Sequence, residues 1–188
     1  MGSEYMIAAA IVALCYLLGS IPSAYLLGKA FFRLDIREHG SGNMGTMNTR
    51  LIMGWLPALA VFAADCGKGA VAAWLAEYAG RDPLMGVAAA VAGHVCPVWL
   101  GFLGGKGLAT TLGGLLWAMQ PAAIAVFIIA WLLTYMVWRQ SDLSSIAGGI
   151  AMVVLAFNMG PQPWMAVIGS IIAGKHYLSY QHSVTSPT

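Results

Sequence analysis

Charge is what this 188-residue sequence has least of. Nine lysines and arginines and seven acids make up 9 % of it, against about 25 % in soluble domains. With hydrophobic residues at 60 % and a mean hydropathy of +0.77, an ordinary soluble globule is excluded. Cysteine is scarce too: Cys15, Cys66 and Cys96 lie within apolar runs or beside motifs, with no CxxC pair and no even count. That excludes a disulfide framework and leaves packing as their expected role. No HExxH and no His/Cys ligand spacing occurs, so no metal is expected. A basic stretch before the first apolar run is missing as well. Glu4 stands there instead, and the run is as long as a full span, which argues against a cleaved signal peptide. The net charge of +2 gives no nucleic-acid signature, because cations on a membrane protein mostly report topology.

What is present is length without charge. Uncharged runs extend over 5–28, 83–105, 107–138 and 143–174, each longer than the roughly 20 apolar residues of one helical pass. The first segment covers about 5–27 and the third about 83–102. A second, 53–78, carries Asp65 and Lys68 near its middle. The last two runs hold 32 residues each and are broken midway, by Gln120-Pro121 and by the stretch Asn158 to Pro163. Each reads as a helical hairpin. The fold expected is therefore all-α and polytopic, with seven transmembrane helices of which the fourth, sixth and seventh are short. Five full passes with shorter embedded helices is the alternative count. One membrane-integral domain over 1–188 is expected.

Seven passes can be oriented by their cations, which favour the cytoplasmic side in short loops. Placing the first loop inside also places Lys29, Arg33, Arg37, Arg50, Lys106, Arg139 and Lys175 inside. Only Arg81 is then outside, and Lys68 lies within the membrane. The N-terminus is expected outside and the C-terminus in the cytoplasm.

The longest loop, 29–50, contains Gly40-Ser41-Gly42-Asn43-Met44-Gly45-Thr46-Met47-Asn48. Glycines let backbone amides converge on an anion, and Ser41, Asn43 and Asn48 add neutral donors. A flexible turn at a helix end is the plainer reading. Gly104-Gly105-Lys106-Gly107 resembles the tail of a Walker A motif, but no strand precedes it and no nucleotide domain surrounds it. Glycine amides with a lysine at a helix start still make an anion site, and a snorkelling interfacial lysine is the alternative. His94 lies shortly before that loop, and His176 and His182 follow Lys175. A histidine on an apolar helix is as a rule a hydrogen-bonded core residue, so His94 acquires interest only from its neighbours.

Asp65 and Lys68 are three residues apart and share one helical face. Each costs roughly 2.5–3.5 kcal/mol within a bilayer, so they are expected to pair or to line a polar cavity. Arg139, Ser141, Asp142, Ser144 and Ser145 form a polar cluster between the two hairpins, in which the serines are candidate helix caps or ligands. Glycine-rich anion loops, cations and a histidine at the ends of apolar helices suit a headgroup-sized anion held beside a hydrocarbon tail.

In this order the motifs resemble those of the bacterial acyl-phosphate:glycerol-3-phosphate acyltransferases. The family pattern GSGNxGxTN is matched by Gly40, Ser41, Gly42, Asn43, Gly45 and Asn48, after a family-like Asp35-Ile36-Arg37. A DxxKG element is matched by Asp65, Lys68 and Gly69. The pattern GHxxPxxxxFKGGKGxAT is matched by Gly93, His94, Pro97, Phe102, Gly104, Gly105, Lys106, Gly107, Ala109 and Thr110. RYVSLxS is matched by Arg139, Leu143 and Ser145, and a C-terminal histidine by His176. The resemblance spans essentially the whole chain. It implies a seven-helix enzyme of the bacterial inner membrane with its active site on the cytoplasmic face. Such an enzyme moves an acyl chain from acyl phosphate to the sn-1 hydroxyl of glycerol 3-phosphate, giving lysophosphatidic acid and phosphate, with no cofactor. Membrane lipids would surround it, and a monomer is expected.

Residue by residue, the resemblance makes His94, Lys106, Ser41 and His176 candidates for the catalytic groups. Candidates for binding substrate phosphates are Arg37, Gly42, Asn43, Gly45, Asn48, Arg50, Lys68, Gly104, Gly105, Gly107, Thr110, Arg139, Ser141 and Ser145. His94, His176 and a substrate phosphate oxygen are each candidates for taking the acceptor proton.

Five positions depart from the family pattern. Met47 stands for threonine, Leu51 for arginine (with Arg50 one place earlier), Leu103 for lysine, Asp142 for serine and Ser179 for asparagine. Three further function classes are compatible with such a chain: a transporter or channel, suggested by Asp65 and Lys68 within a span and by broken helices; an acyltransferase with another acceptor; and a non-catalytic lipid-binding relative.

Overall fold

The computed structural model describes residues 2–160 and 162–185. Pro161, one member of the predicted interruption at 158–163, lies outside them. All regular structure among the described residues is helical, as the composition requires, because a lipid-facing backbone must satisfy its own hydrogen bonds. The described residues fall into two compact units, one up to Ala118 and one from Met119.

The first unit contains α1 (Gly2–Gly19), α2 (Ser23–Leu27), α3 (Thr46–Met53), α4 (Trp55–Tyr78), α5 (Pro83–Val95) and α6 (Leu108–Trp117). Sequence punctuation explains most of these boundaries. Asp82 caps α5 by accepting from the Leu84 amide at 2.8 Å, with Pro83 in the first turn, where a missing N–H costs nothing. Gly54 and Gly107, at φ 93° and 82°, precede α4 and α6, a conformation open to glycine at no steric cost. The first apolar segment is broken at Ser20-Ile21-Pro22 and continues as α2 and a π-helical turn, Gly28–Phe32. Pro22 has no N–H to continue the ladder of α1.

Small residues let these helices approach closely. A methyl added to Gly69 would overlap the Thr110 carbonyl, one on Gly113 the Cys66 carbonyl, and one on Gly86 the Ala72 carbonyl. Thus α4 is pinned to α6 and to α5 backbone against backbone, the packing mode of membrane helices. Cys15 sits in this core beside Ala72, Ala89 and Ala90. Cys66 is half-buried and Cys96 exposed, so the packing role expected of all three cysteines applies to Cys15 and not to Cys96.

The second unit contains α7 (Pro121–Trp138), α8 (Ser141–Asn158) and α9 (Pro163–Thr185). Both predicted interruptions are found: α6 ends before Gln120-Pro121, and α8 ends at Asn158. Gly149 and Gly169 stack face to face, each too close to the other's carbonyl for a side chain, and bring α8 onto α9. In α7 only Ala123 is fully buried, while the partly buried Phe127 and Trp131 pack against Gly148 and Ser145 of α8.

Among the described residues, five segments are long and apolar enough to cross a membrane: Gly2–Phe32, Trp55–Tyr78, Pro83–Leu100, Pro121–Trp138 and Ser141–Asn158. The other two predicted passes correspond to α6 and α9. With 10 residues α6 covers about 15 Å, half of a hydrocarbon core of about 30 Å. α9 runs 23 residues, past the expected end near Gly174, and its polar second half lowers its hydropathy. α3 falls partly within the stretch read as loop. It buries Asn48 and Thr49 while Met47 and Leu51 are exposed, an inverted pattern that hides a helix from hydropathy.

Candidate active site

In the first unit the glycine-rich loop is a braced structure. Asn48 donates from Nδ2 to the Ile36 and His39 carbonyls at 3.3 and 3.0 Å, and its Oδ1 accepts from the Ser41 amide at 3.0 Å. Gly40 and Gly42 take left-handed φ of 59° and 68°, and a side chain on Gly40 would strike the Asn48 carboxamide. Thr49 Oγ1 donates to the Gly45 carbonyl at 3.0 Å. Asn48, expected to meet phosphate, thus directs its side chain into the loop's own backbone.

Arg37 is held by Asp35, which the sequence presents only as part of a family-like tripeptide. Buried Asp35 accepts from the Arg37 amide at 3.1 Å, from Nε at 3.0 Å and from Nη2 at 2.9 Å. Lys29 approaches the same carboxylate at 3.6 Å. The Arg37 guanidinium hydrogen bonds hold the Asp35 carboxyl well below the usual carboxylate range, because they stabilise its charged form. Arg37 in turn lies 5.0 Å from the centre of the Tyr25 ring. The fork geometry fixes a cation beside the loop with about a third of its side chain exposed. Arg50, by contrast, packs over the Trp55 ring at 4.7 Å and is otherwise exposed, while Ser41 is exposed on the loop surface.

The intramembrane charges pair, as their spacing predicts. Lys68 Nζ lies 2.9 Å from Asp65 Oδ1 and donates to the Ile21 carbonyl at 3.1 Å. Ser23 donates to the same Asp65 oxygen at 2.9 Å. The break after α1 therefore supplies both a hydroxyl and a carbonyl to the ion pair of α4. Hydrogen bonds to each member are what make a buried ion pair tolerable.

His94 joins this cluster from the end of α5. Its Nδ1 lies 3.7 Å from Asp65 Oδ1 and 3.3 Å from Thr110 Oγ1, with Thr110 fully buried. The His94 carbonyl accepts from the Gly105 amide at 3.1 Å. A side chain on Gly105 would overlap the imidazole Nε2, and one on Gly104 would overlap the His94 carbonyl. The second glycine loop is therefore folded directly onto the histidine that the sequence places ten residues before it. Lys106 is half-buried at the start of α6, with Gly107 buried beside it.

These parts border one small, open recess, lined by Ser20 to Ser23, Met44, Lys68, His94 and Gly105 among others. Met44 belongs to the first glycine loop and Gly105 to the second, so the structure brings the two loops, the ion pair and His94 together. Lysine, histidine and serine groups with glycine backbone at one recess can bind an anion and exchange a proton.

The second unit gathers the remaining candidates. Arg139 ends α7 in a left-handed conformation and is exposed, as is Ser141. Ser145 is buried, donates to the Ser141 carbonyl at 2.9 Å and accepts from Trp131 Nε1 at 3.2 Å. Buried His176 on α9 faces Asp142 on α8, Nδ1 to Oδ1, at 2.7 Å. Ser179 donates to Asp142 Oδ2 at 3.1 Å. The sequence presents Asp142 as a member of the polar cluster at 139–145, and neither Asp142 nor Ser179 is among the catalytic or phosphate-binding candidates. The signal available was that both depart from the family pattern, at positions with no visible connection in one dimension.

With this geometry in hand, the similarities are specific. Residues 9–185 match the family model described as glycerol-3-phosphate acyltransferase. A glycerol-3-phosphate acyltransferase of Synechococcus elongatus is 42 % identical over 184 residues, covering 92 % of this chain and 86 % of the relative. One of Syntrophomonas wolfei is 38 % identical over 166 residues, covering 87 % and 84 %. The crystal structure of PlsY (YgiH), an integral membrane glycerol 3-phosphate acyltransferase, in its glycerol 3-phosphate form is 32 % identical with a TM-score of 0.78, covering 95 % of this chain and 92 % of that one. Its lysophosphatidic acid form gives 28 % and 0.74, covering 94 % and 89 %. An all-helical membrane protein whose glycine loops, ion pair and histidine follow the family order, this chain belongs to the glycerol-3-phosphate acyltransferase family.

Proposed function

We propose that this chain transfers an acyl group from acyl phosphate to the sn-1 hydroxyl of glycerol 3-phosphate, giving lysophosphatidic acid and inorganic phosphate. The observation that carries the reading is the recess where the two glycine loops meet Lys68 and His94. Acyl phosphate is a mixed anhydride and already activated. The acceptor oxygen attacks the acyl carbon, the bond from that carbon to the phosphate oxygen breaks, and phosphate leaves with its charge increased. No covalent serine intermediate is needed. Backbone amides of 42–45 and 104–107, with Lys106 and Arg37, are suited to hold the phosphates and stabilise the developing charge. Ser41, Asn43, Arg50, Thr110, Arg139, Ser141 and Ser145 remain the further phosphate and headgroup contacts of this reading, and His94 and His176 the side chains for the acceptor proton.

The same reading carries topology. Seven passes, comprising the 5–27 segment, α4, α5, α6, α7, α8 and α9, place the N-terminus outside and the C-terminus in the cytoplasm, with the catalytic face on the cytoplasmic side of a bacterial inner membrane. Within the first unit, Arg81, expected outside, pairs with Glu4 at the start of α1, which supports a common side for the two. The chain acts as one acyltransferase domain and as a monomer.

The test is donor choice combined with a variant. Palmitoyl phosphate should support product formation where palmitoyl-CoA does not. Lys106→Ala should lose most turnover at limiting substrate, whereas full turnover in that variant would remove Lys106 from the site.

A further inference from the structure

The break after α1 does more than end a helix. In an unbroken helix the Ile21 carbonyl would accept from the amide four residues further on. Here it accepts from the Ser23 amide at 3.1 Å and from Lys68 Nζ, also at 3.1 Å. Pro22, between Ile21 and Ser23, has no N–H with which to continue the ladder. The Ser23 hydroxyl donates to Asp65 Oδ1 at 2.9 Å, and that oxygen is the one that pairs with Lys68 at 2.9 Å. Three consecutive residues thus grip both members of the ion pair, one through a carbonyl and the other through a hydroxyl. The break is itself anchored. Fully buried Ser20 donates to the Tyr16 carbonyl at 2.9 Å, and the Tyr16 hydroxyl donates to the Cys96 carbonyl at 2.6 Å. A methyl added to Gly93 would overlap the Tyr16 carbonyl, so the end of α1 rests on the backbone of α5 next to His94.

A lysine ammonium has three donors. Among the described residues Lys68 gives two of them to the protein, to Asp65 and to Ile21. A buried donor left unpaired is costly, and Lys68 lines the recess together with Ser23, His94 and Gly105. From this we infer that the third donor serves a phosphate oxygen of a substrate, and that Ser23 and the Ile21 carbonyl are the positioning groups that aim it. On its flexible four-carbon stem an ammonium is a point charge with no preferred direction. Two fixed acceptors leave its third N–H only one. Ser23 holds Asp65 Oδ1, the acceptor that Lys68 follows; without the hydroxyl the carboxylate is free to turn and the ammonium turns with it. The acyl phosphate and glycerol 3-phosphate both carry the oxygen this site would take. The inference rests on the proposed reading of the recess as a substrate site.

The first test uses inorganic phosphate and no turnover. The melting temperature of the purified protein in detergent is followed against phosphate concentration at matched ionic strength, since an anion bound to the folded state raises it. The charge-free double variant Asp65→Asn/Lys68→Met should need about tenfold more phosphate for the same rise, the worth of a hydrogen bond from a charged group. Ser23→Ala should need about threefold more, and Ser23→Thr, which keeps the hydroxyl, should respond like the unmodified protein. In the double-variant background Ser23→Ala should add nothing. An equal further loss there would show Ser23 acting without Lys68 and overturn the inference, as would an unchanged phosphate response in Ser23→Ala alone. Kinetics with acyl phosphate and glycerol 3-phosphate supply the second test. Ser23→Ala should raise KM by a similar factor with kcat little changed. A rise confined to acyl phosphate assigns the oxygen to the donor, and one confined to glycerol 3-phosphate assigns it to the acceptor. Neither KM rising contradicts the inference. The expected phosphate responses in a protein that forms no lysophosphatidic acid would uphold the positioning and remove the proposed reaction.

Discussion

Gly105 donates its backbone N–H to the His94 carbonyl at 3.1 Å and lies against the same residue's imidazole. The glycine and the histidine are thereby held as one piece: the loop cannot shift without moving the ring, and the ring cannot rotate into space the loop occupies. Gly105→Ala forces a methyl into that contact, and His94 or the loop must give way. Misplacing a binding loop by about 1 Å can cost up to about 100-fold in rate, so a loss of at least about tenfold in kcat/KM is expected from steady-state assay. Gly67→Ala is the matched control, because a methyl there meets nothing within 4 Å. It should leave turnover unchanged and raise thermal stability slightly, alanine being the better helix former by about 1 kcal/mol.

The Asp65–Lys68 pair gives a second prediction through the asymmetry of buried charge. Removing one member leaves the other buried without its partner, at about 3–5 kcal/mol. Lys68→Met and Asp65→Asn should each lower the melting temperature in detergent sharply. The double variant Asp65→Asn/Lys68→Met should recover much of that stability. Its turnover then separates two roles: low activity in a stable double variant places Lys68 in contact with substrate, and normal activity leaves the pair purely structural.

Much of this architecture was legible in the sequence. Charge-free runs set the helical segments, Pro121 and the 158–163 stretch marked where helices end and begin, and the spacing of Asp65 and Lys68 announced their pairing. What escaped was whatever depends on contact between distant residues. Asp35 appeared only as part of a family-like tripeptide because nothing local shows that it is buried against Arg37. Asn48 read as a ligand because its carboxamide could not be seen bonding three backbone groups of its own loop. α3 was hidden because Met47 and Leu51 face outward while Asn48 and Thr49 are buried, and the break after α1 because one proline inside a long apolar run is an ambiguous signal until Ile21 and Ser23 are seen serving the ion pair.

Asn48 carries a prediction of its own. Asn48→Ala removes three hydrogen bonds that fix the loop 36–45, and each buried group left without a partner costs about 1–3 kcal/mol. Amide hydrogen exchange should accelerate in that loop while α4 and α5 stay protected. KM for glycerol 3-phosphate should rise with the loosened loop. Unchanged exchange would mean that the loop is held by its glycine turns alone.

Asp35 sets an acid limit. Its folded-state pKa is depressed, so the stability it contributes is fully present above the unfolded carboxylate pKa of about 3.9. That contribution is lost progressively as pH falls below this value toward the folded one. Asp35→Asn should destabilise the protein at pH 7, and the difference from the unmodified protein should shrink as thermal melts are carried below about pH 4. A constant difference across that range would contradict the ion-pair assignment.

The central claim is tested most directly by following one reaction vessel over time. The purified protein in lipid is given palmitoyl phosphate, with and without glycerol 3-phosphate, and inorganic phosphate and lipid product are measured together, the latter by mass spectrometry. The expected result is phosphate release that depends on the acceptor and matches lysophosphatidic acid mole for mole. Phosphate release indifferent to glycerol 3-phosphate, or acyl phosphate bound with no lysophosphatidic acid formed, would contradict it.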